Sequence, residues 1–198
     1  MNTPRKILLS LVVVGALGAV VGLGAFSAFS ATTANDNNSF AAGTVAIGDN
    51  DAGAFMYQVT NQKPTVNTDR CIKVTYTGSL DSDVRLYSTT SIPLAGQGQY
   101  INLTITPGTI AAPTFPSCTG FTADSSGDIY NGTLAGFATT YNSFATGLTD
   151  YPGITGAATK WITNDNVVYR VRVSVQNSNA AQGAAVAAHN FTWEAQNQ

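Results

Sequence analysis

The chain has 198 residues, with 9 Lys plus Arg against 11 Asp plus Glu and only 10% charged side chains. So sparse and slightly acidic a charge set excludes the clustered cations of a nucleic-acid surface and offers no polybasic patch for an anionic membrane. Once a leader is set aside, about 170 residues remain, enough for one domain with a sizeable core.

The chain opens as an export signal. Arg5 and Lys6 form a basic start, and Ile7 to Ala25 is an uncharged, largely apolar run. Gly24-Ala25-Phe26-Ser27-Ala28-Phe29-Ser30 then supplies the small residues of a cleavage zone. Residues 1–28 are read as signal peptide, cut between Ala28 and Phe29, residues 29–48 as an N-terminal segment, and residues 49–198 as the domain. Uncut, Ile7 to Ala25 is long enough to cross a bilayer. Removing Arg5 and Lys6 leaves seven cations against eleven anions, a net charge of -4. Phe26 then sits three residues before the cut, where a general signal peptidase prefers a small side chain.

Period-two alternation dominates the rest of the chain. Phe40 to Ile47 and Phe55 to Val59 are strand candidates. Cys71 to Thr77 turns Ile72, Val74 and Tyr76 to one face, and Val84 to Tyr87 turns Val84 and Leu86 inward. Ile101, Leu103 and Ile105 repeat the pattern. Between Val167 and Val175 five apolar residues share a face opposite Arg170, Arg172 and Ser174, which reads as a solvated side. Phe191 and Trp193 close the series. Leu134, Phe137, Tyr141, Phe144 and Leu148 recur instead at helical spacing, predicting a short helix near 131–146 despite Gly136, Thr139 and Thr140. Residues 107–128 and 149–159 read as loop. The class is all-β: an antiparallel β-sandwich of the jelly-roll or immunoglobulin-like kind, with one short helix and long loops, preceded by a signal-peptide helix.

Cys71 and Cys118 are the only cysteines. In an exported chain an even pair reads as a disulfide, and closing so long a loop contributes on the order of 4 kcal/mol in the chain-entropy model. Two unpaired buried thiols are the alternative.

Three stretches resemble the TasA/camelysin family of secreted bacterial proteins. The junction Gly22-Leu23-Gly24-Ala25-Phe26-Ser27-Ala28-Phe29-Ser30 is similar to the signal end cut by a SipW-type signal peptidase, an enzyme that would tolerate Phe26. Ser39-Phe40-Ala41-Ala42-Gly43-Thr44-Val45-Ala46-Ile47 resembles the family's Phe-x-x-Gly-Thr-Leu-Asp-Leu strand, with Val45 and Ile47 in the leucine places and Ala46 replacing the aspartate. The third comprises Val167–Val175, Ala181-Gln182-Gly183 and Phe191-Thr192-Trp193-Glu194-Ala195, which look like the closing strands. The resemblance implies an extracellular biofilm-matrix fibre built by strand donation. The N-terminal segment, carried on Phe29, Phe40, Val45 and Ile47, would fill a groove in the next copy, and minor fibre subunits are possible further partners. Two other readings stand beside it, a non-polymerising surface adhesin and a camelysin-type metallopeptidase.

Residue chemistry for an enzyme is thin. The chain has 1 His, His189, and no His-Glu-x-x-His; Glu194 is the sole glutamate. A catalytic zinc normally takes three protein ligands. Both residues read as surface groups beside the last strand, and no catalytic, metal or cofactor residue is expected. Asp49-Asn50-Asp51 and Asp81/Asp83 read as polar turns before calcium sites. Asn102, Asn131 and Asn190 fit the glycosylation pattern by chance.

Overall fold

The computed structural model describes residues 41–149, 159–183, 186 and 189–197. The signal segment, the junction at Ala28 and Phe29, and Phe40 lie outside the described residues. One compact unit spans Ala42–Gln198. Its strands are β1 (Ile47–Asp49), β2 (Thr68–Tyr76), β3 (Asp83–Tyr87), β4 (Ile101–Thr109), β5 (Thr122–Ala123), β6 (Tyr130–Thr133), β7 (Leu148–Thr149), β8 (Asn166–Val175) and β9 (Thr192–Gln196), with helix α1 (Leu134–Thr140) after β6.

Two antiparallel sheets result. The larger runs β1-β2-β8-β4-β5, with β6 also on β4; the smaller runs β7-β3-β9. β8 is central because both of its edges are taken: Ile72 lies opposite Tyr169 on the β2 side, and Leu103 opposite Val173 on the β4 side. Ile72, Val74, Tyr76, Leu103, Ile105, Val167, Tyr169 and Val171 of the large sheet pack with Val84, Leu86 and Trp161 into one core. These are the inward sets that alternation predicts, and each full burial stabilises by roughly 1.5–3 kcal/mol. The all-β expectation holds.

Local differences have local causes. The helix is shorter than 131–146. Residues 130–133 pair with β4 instead, and Thr133 caps α1 by accepting the Gly136 amide at 3.1 Å. α1 stops at Thr140, and Ser143 with Thr146 starts a separate short 3-10 turn, Phe144–Thr146. Leu134 and Phe137 are nonetheless buried, as the stripe requires. Phe55 to Val59 is no strand, and Phe55 is 76% exposed. Within the described part of the candidate at 40–47, strand begins at Ile47. Strand reaches further into the supposed loop at 107–128 than alternation suggested, through the end of β4 and through β5.

The second face of the large sheet is also covered. Cys71 and Cys118 form the predicted disulfide, Cα–Cα 5.1 Å, which pins the β4–β5 connection over β2, β8 and β4. Val168, Cys71 and Thr106 are buried there. Arg170 therefore does not lie on a solvated face. Its guanidinium stacks on Phe121, 4.8 Å from the ring centre, and donates to Thr106 Oγ1, which in turn donates to Asp128 at 2.6 Å. Arg172 grips Asp69 with two bonds of 2.6 and 2.7 Å, which hold the Asp69 carboxyl below the usual carboxylate range. Gly108 is required under this cover, since a Cβ would strike the Thr122 carbonyl and the Phe121 ring.

Candidate strand-accepting groove

A strand that accepts another chain must have an edge with unpaired backbone groups. β2 has no such edge along 71–77. The Thr77 amide donates to Ala46 O at 2.9 Å, and β1 pairs with Val74 to Tyr76. Past β1 the polypeptide continues the seal with single groups. The Lys73 amide donates to Asn50 Oδ1 at 2.8 Å, and the Cys71 amide to Pro116 O at 3.0 Å. The Asp49-Asn50-Asp51 turn is thus a polar turn, as expected. The Asp51 amide donates to Asp49 Oδ1 and the Gly53 amide to Asp51 Oδ1, which frees Asn50 to face β2.

β9 differs. Among the described residues it pairs only with β3. Between it and β1 lies a cavity of about 230 Å³, lined by Ile47, Gly48, Asp49, Val74, Phe191, Thr192 and Trp193. Aromatic packing backs its wall. Trp193 packs on Tyr169 with centroids 5.4 Å apart, and Phe191 on Phe137 at 5.6 Å. His189 meets the Phe191 ring edge-on at 4.7 Å. Alternate pockets of this kind are what an added extended strand uses for side-chain recognition.

Two polar groups in this wall are unspent. Trp193 Nε1 and His189 Nε2 are buried without a hydrogen-bond partner among the described residues. His189 is therefore not the plain surface residue its position suggested. Burial lowers its pKa to about 4, so the ring is neutral at neutral pH. Glu194, on the same strand as Trp193, accepts from Tyr87 Oη at 2.6 Å and from Gln196 Nε2 at 2.7 Å. These two bonds lower its pKa, while the Tyr87 hydroxyl is pushed up to about 12.

The N-terminal segment is divided by the fold. Thr44 O accepts the Ser79 amide at 2.9 Å, Ala46 O accepts the Thr77 amide, and Ile47 lies opposite Tyr76. Val45, at 37% exposure, sits within this seated stretch. Val45 and Ile47 are thus on their own chain's β2, while Phe29 and Phe40 lie outside the described residues.

Among the described residues no three His, Cys, Asp or Glu side chains converge. The single histidine meets an apolar ring, both cysteines are spent in the disulfide, and Glu194 is held by Tyr87 and Gln196. Asn190, a formal glycosylation acceptor, is a structural clamp. Its Oδ1 takes the Thr89 and Thr90 amides at 3.0 and 3.2 Å, fixing the approach to β9. Alternation found Phe191 and Trp193. Asn50, Pro116 and Asn190 were missed, because nothing in their local sequence marks a partner so far along the chain.

Residues 4–99 match the model of a family described as camelysin metallo-endopeptidase, a little under half of the chain. No curated protein matches the chain.

Proposed function

Taking the chain as a member of the TasA/camelysin family through its residues 4–99, we propose that it is a secreted structural protein that builds extracellular matrix fibres by strand donation. The donated part is Phe29 to Phe40, which carries one charge, Asp36. Val45 and Ile47 anchor that segment to the donor's own body. The acceptor is the β9 edge and the cavity it shares with β1. The observation that carries this reading is the contrast between a sealed β2 edge and a β9 that, among the described residues, pairs only with β3 and borders a cavity lined by Phe191 and Trp193.

Backbone hydrogen bonds along β9 supply affinity, and Phe29 or Phe40 supplies an apolar side chain for the cavity. A head-to-tail contact whose rotation does not close propagates as a filament. Before cleavage by a SipW-type signal peptidase the segment is tethered at the membrane, and the cut after Ala28 licenses assembly. The fibre is a homopolymer in this scheme, with minor subunits as optional partners.

The test is electron microscopy of the secreted protein with and without residues 29–40. Fibres are expected only from the intact segment. Equal fibre yield from both proteins overturns the mechanism.

A further inference from the structure

The disulfide stands guard over a strand edge. Cys71 is 3% exposed and lies mid-strand in β2. Its amide points out of the sheet toward Pro116 O, and Cys118 follows Pro116 by two residues. The far end of this connection is held by Phe121 under Arg170 and, just past β5, by the Asp124 amide on Pro107 O at 3.0 Å and Thr106 on Asp128. Near residue 116 the chain is held to β2 by the bridge and by the Pro116 bond, while Phe115 beside it packs against the core.

We propose that the Cys71 stretch of β2 is a latent strand-pairing edge, shut by the Cys71–Cys118 disulfide and opened by a thiol reductant, and that its partner is the same edge of a second copy. A dithiol reduces the bridge to two cysteine thiols and is itself oxidised to its cyclic disulfide, so electrons and protons balance. Cys118 is half-buried, which leaves one sulfur within reach of an attacking thiolate. Released, residues 116–118 no longer cover Cys71, while Phe115 stays against the core. Asn50 still occupies the Lys73 amide, but its side chain is a weaker seal than a paired strand.

The sequence of the edge fits itself. An antiparallel pair centred on Cys71 sets Asp69 of one copy, whose carboxylate already holds Arg172, opposite Lys73 of the other, twice by symmetry, on the face that carries Cys71. Opposite charges directly across an antiparallel pair are favourable, and like charges are not. The two-fold pairing is isologous, so it closes as a dimer, unlike the head-to-tail contact at β9. It makes no use of residues 29–40, and its test is separate from that of strand donation.

The experiment is amide hydrogen exchange with sedimentation velocity on the secreted protein, with and without excess dithiothreitol. On reduction in dilute solution, where the protein is monomeric, exchange at the Cys71 amide rises tenfold or more and the Val171 amide of β8 keeps its protection; at higher concentration a dimer appears and the Cys71 amide is protected again. Lys73→Glu sets Glu opposite Asp69. It keeps the fast Cys71 exchange and loses most of the dimer. Cys118→Ser dimerises without reductant. Unchanged Cys71 exchange, a parallel loss of Val171 protection, a reduced protein that stays monomeric, or a Lys73→Glu protein that dimerises equally well each overturns the proposal.

Discussion

The two strand edges that flank the β1 side of this molecule are built on opposite plans. β2 is protected amide by amide, by Ala46, by β1, by an asparagine side chain and by a loop carbonyl beside a disulfide. β9 ends its sheet and shares a cavity with β1, walled by packed aromatic rings. Natural sheets blunt their edges because an unpaired ladder recruits other chains. On this logic the strand donation proposed above uses β9, which pairs only with β3 among the described residues, and not the sealed β2.

The sharpest way to break the comparison is to remove the packing behind β9. Phe137 is fully buried and stacks on Phe191 as well as on Tyr130 at 5.2 Å. Phe137→Ala is expected to cost about 3–5 kcal/mol in urea unfolding, by lost transfer energy and the cavity left behind. A loss below about 1 kcal/mol would mean that the β9 wall stands independently of the core.

His189 gives a pH-dependent version of the same test. Its pKa is 6.5 as a free side chain and about 4 in the fold. The unfolded chain therefore binds more protons between those values, and stability falls as pH drops from 6.5 toward 4 and changes no further at lower pH. The full difference is at most roughly 3 kcal/mol. His189→Gln should flatten that slope without moving the neutral-pH value by a comparable amount. Urea midpoints across pH 4 to 7 decide it, and an unchanged slope removes His189 as its source.

The smallest effect concerns the sealed edge. Asn50→Ala uncovers the Lys73 amide and is expected to cost about 1 kcal/mol, the usual net worth of a hydrogen bond. Exchange at the Lys73 amide should accelerate while that at Cys71 holds. Equal acceleration at both would show that the seals on β2 act as one unit.

How far the chain could be read in advance differs by feature. The inward faces of β2, β4 and β8 were legible, because successive side chains of a strand point to opposite sides and burial of one side imposes a period of two. The pairing of Cys71 with Cys118 was legible as one of two options. The covered second face was not. Arg170 and Arg172 read as solvated because charged residues usually are, yet one stacks on Phe121 and the other grips Asp69. Phe55 misled in the other direction, being aromatic, in an apolar run, and exposed.

The amino-acid order alone determined the strand faces, the helical stripe at Leu134 and Phe137, and the family resemblance, since each is a pattern within a short stretch. Which edges stayed open was decided only in three dimensions. An edge is closed by whatever group arrives beside it, and for β2 those groups are Asn50 and Pro116, 23 residues before Lys73 and 45 after Cys71. Periodicity reports the face a side chain takes; it carries no information about the backbone direction at right angles to that face, where the amides of β2 and β9 meet their different fates.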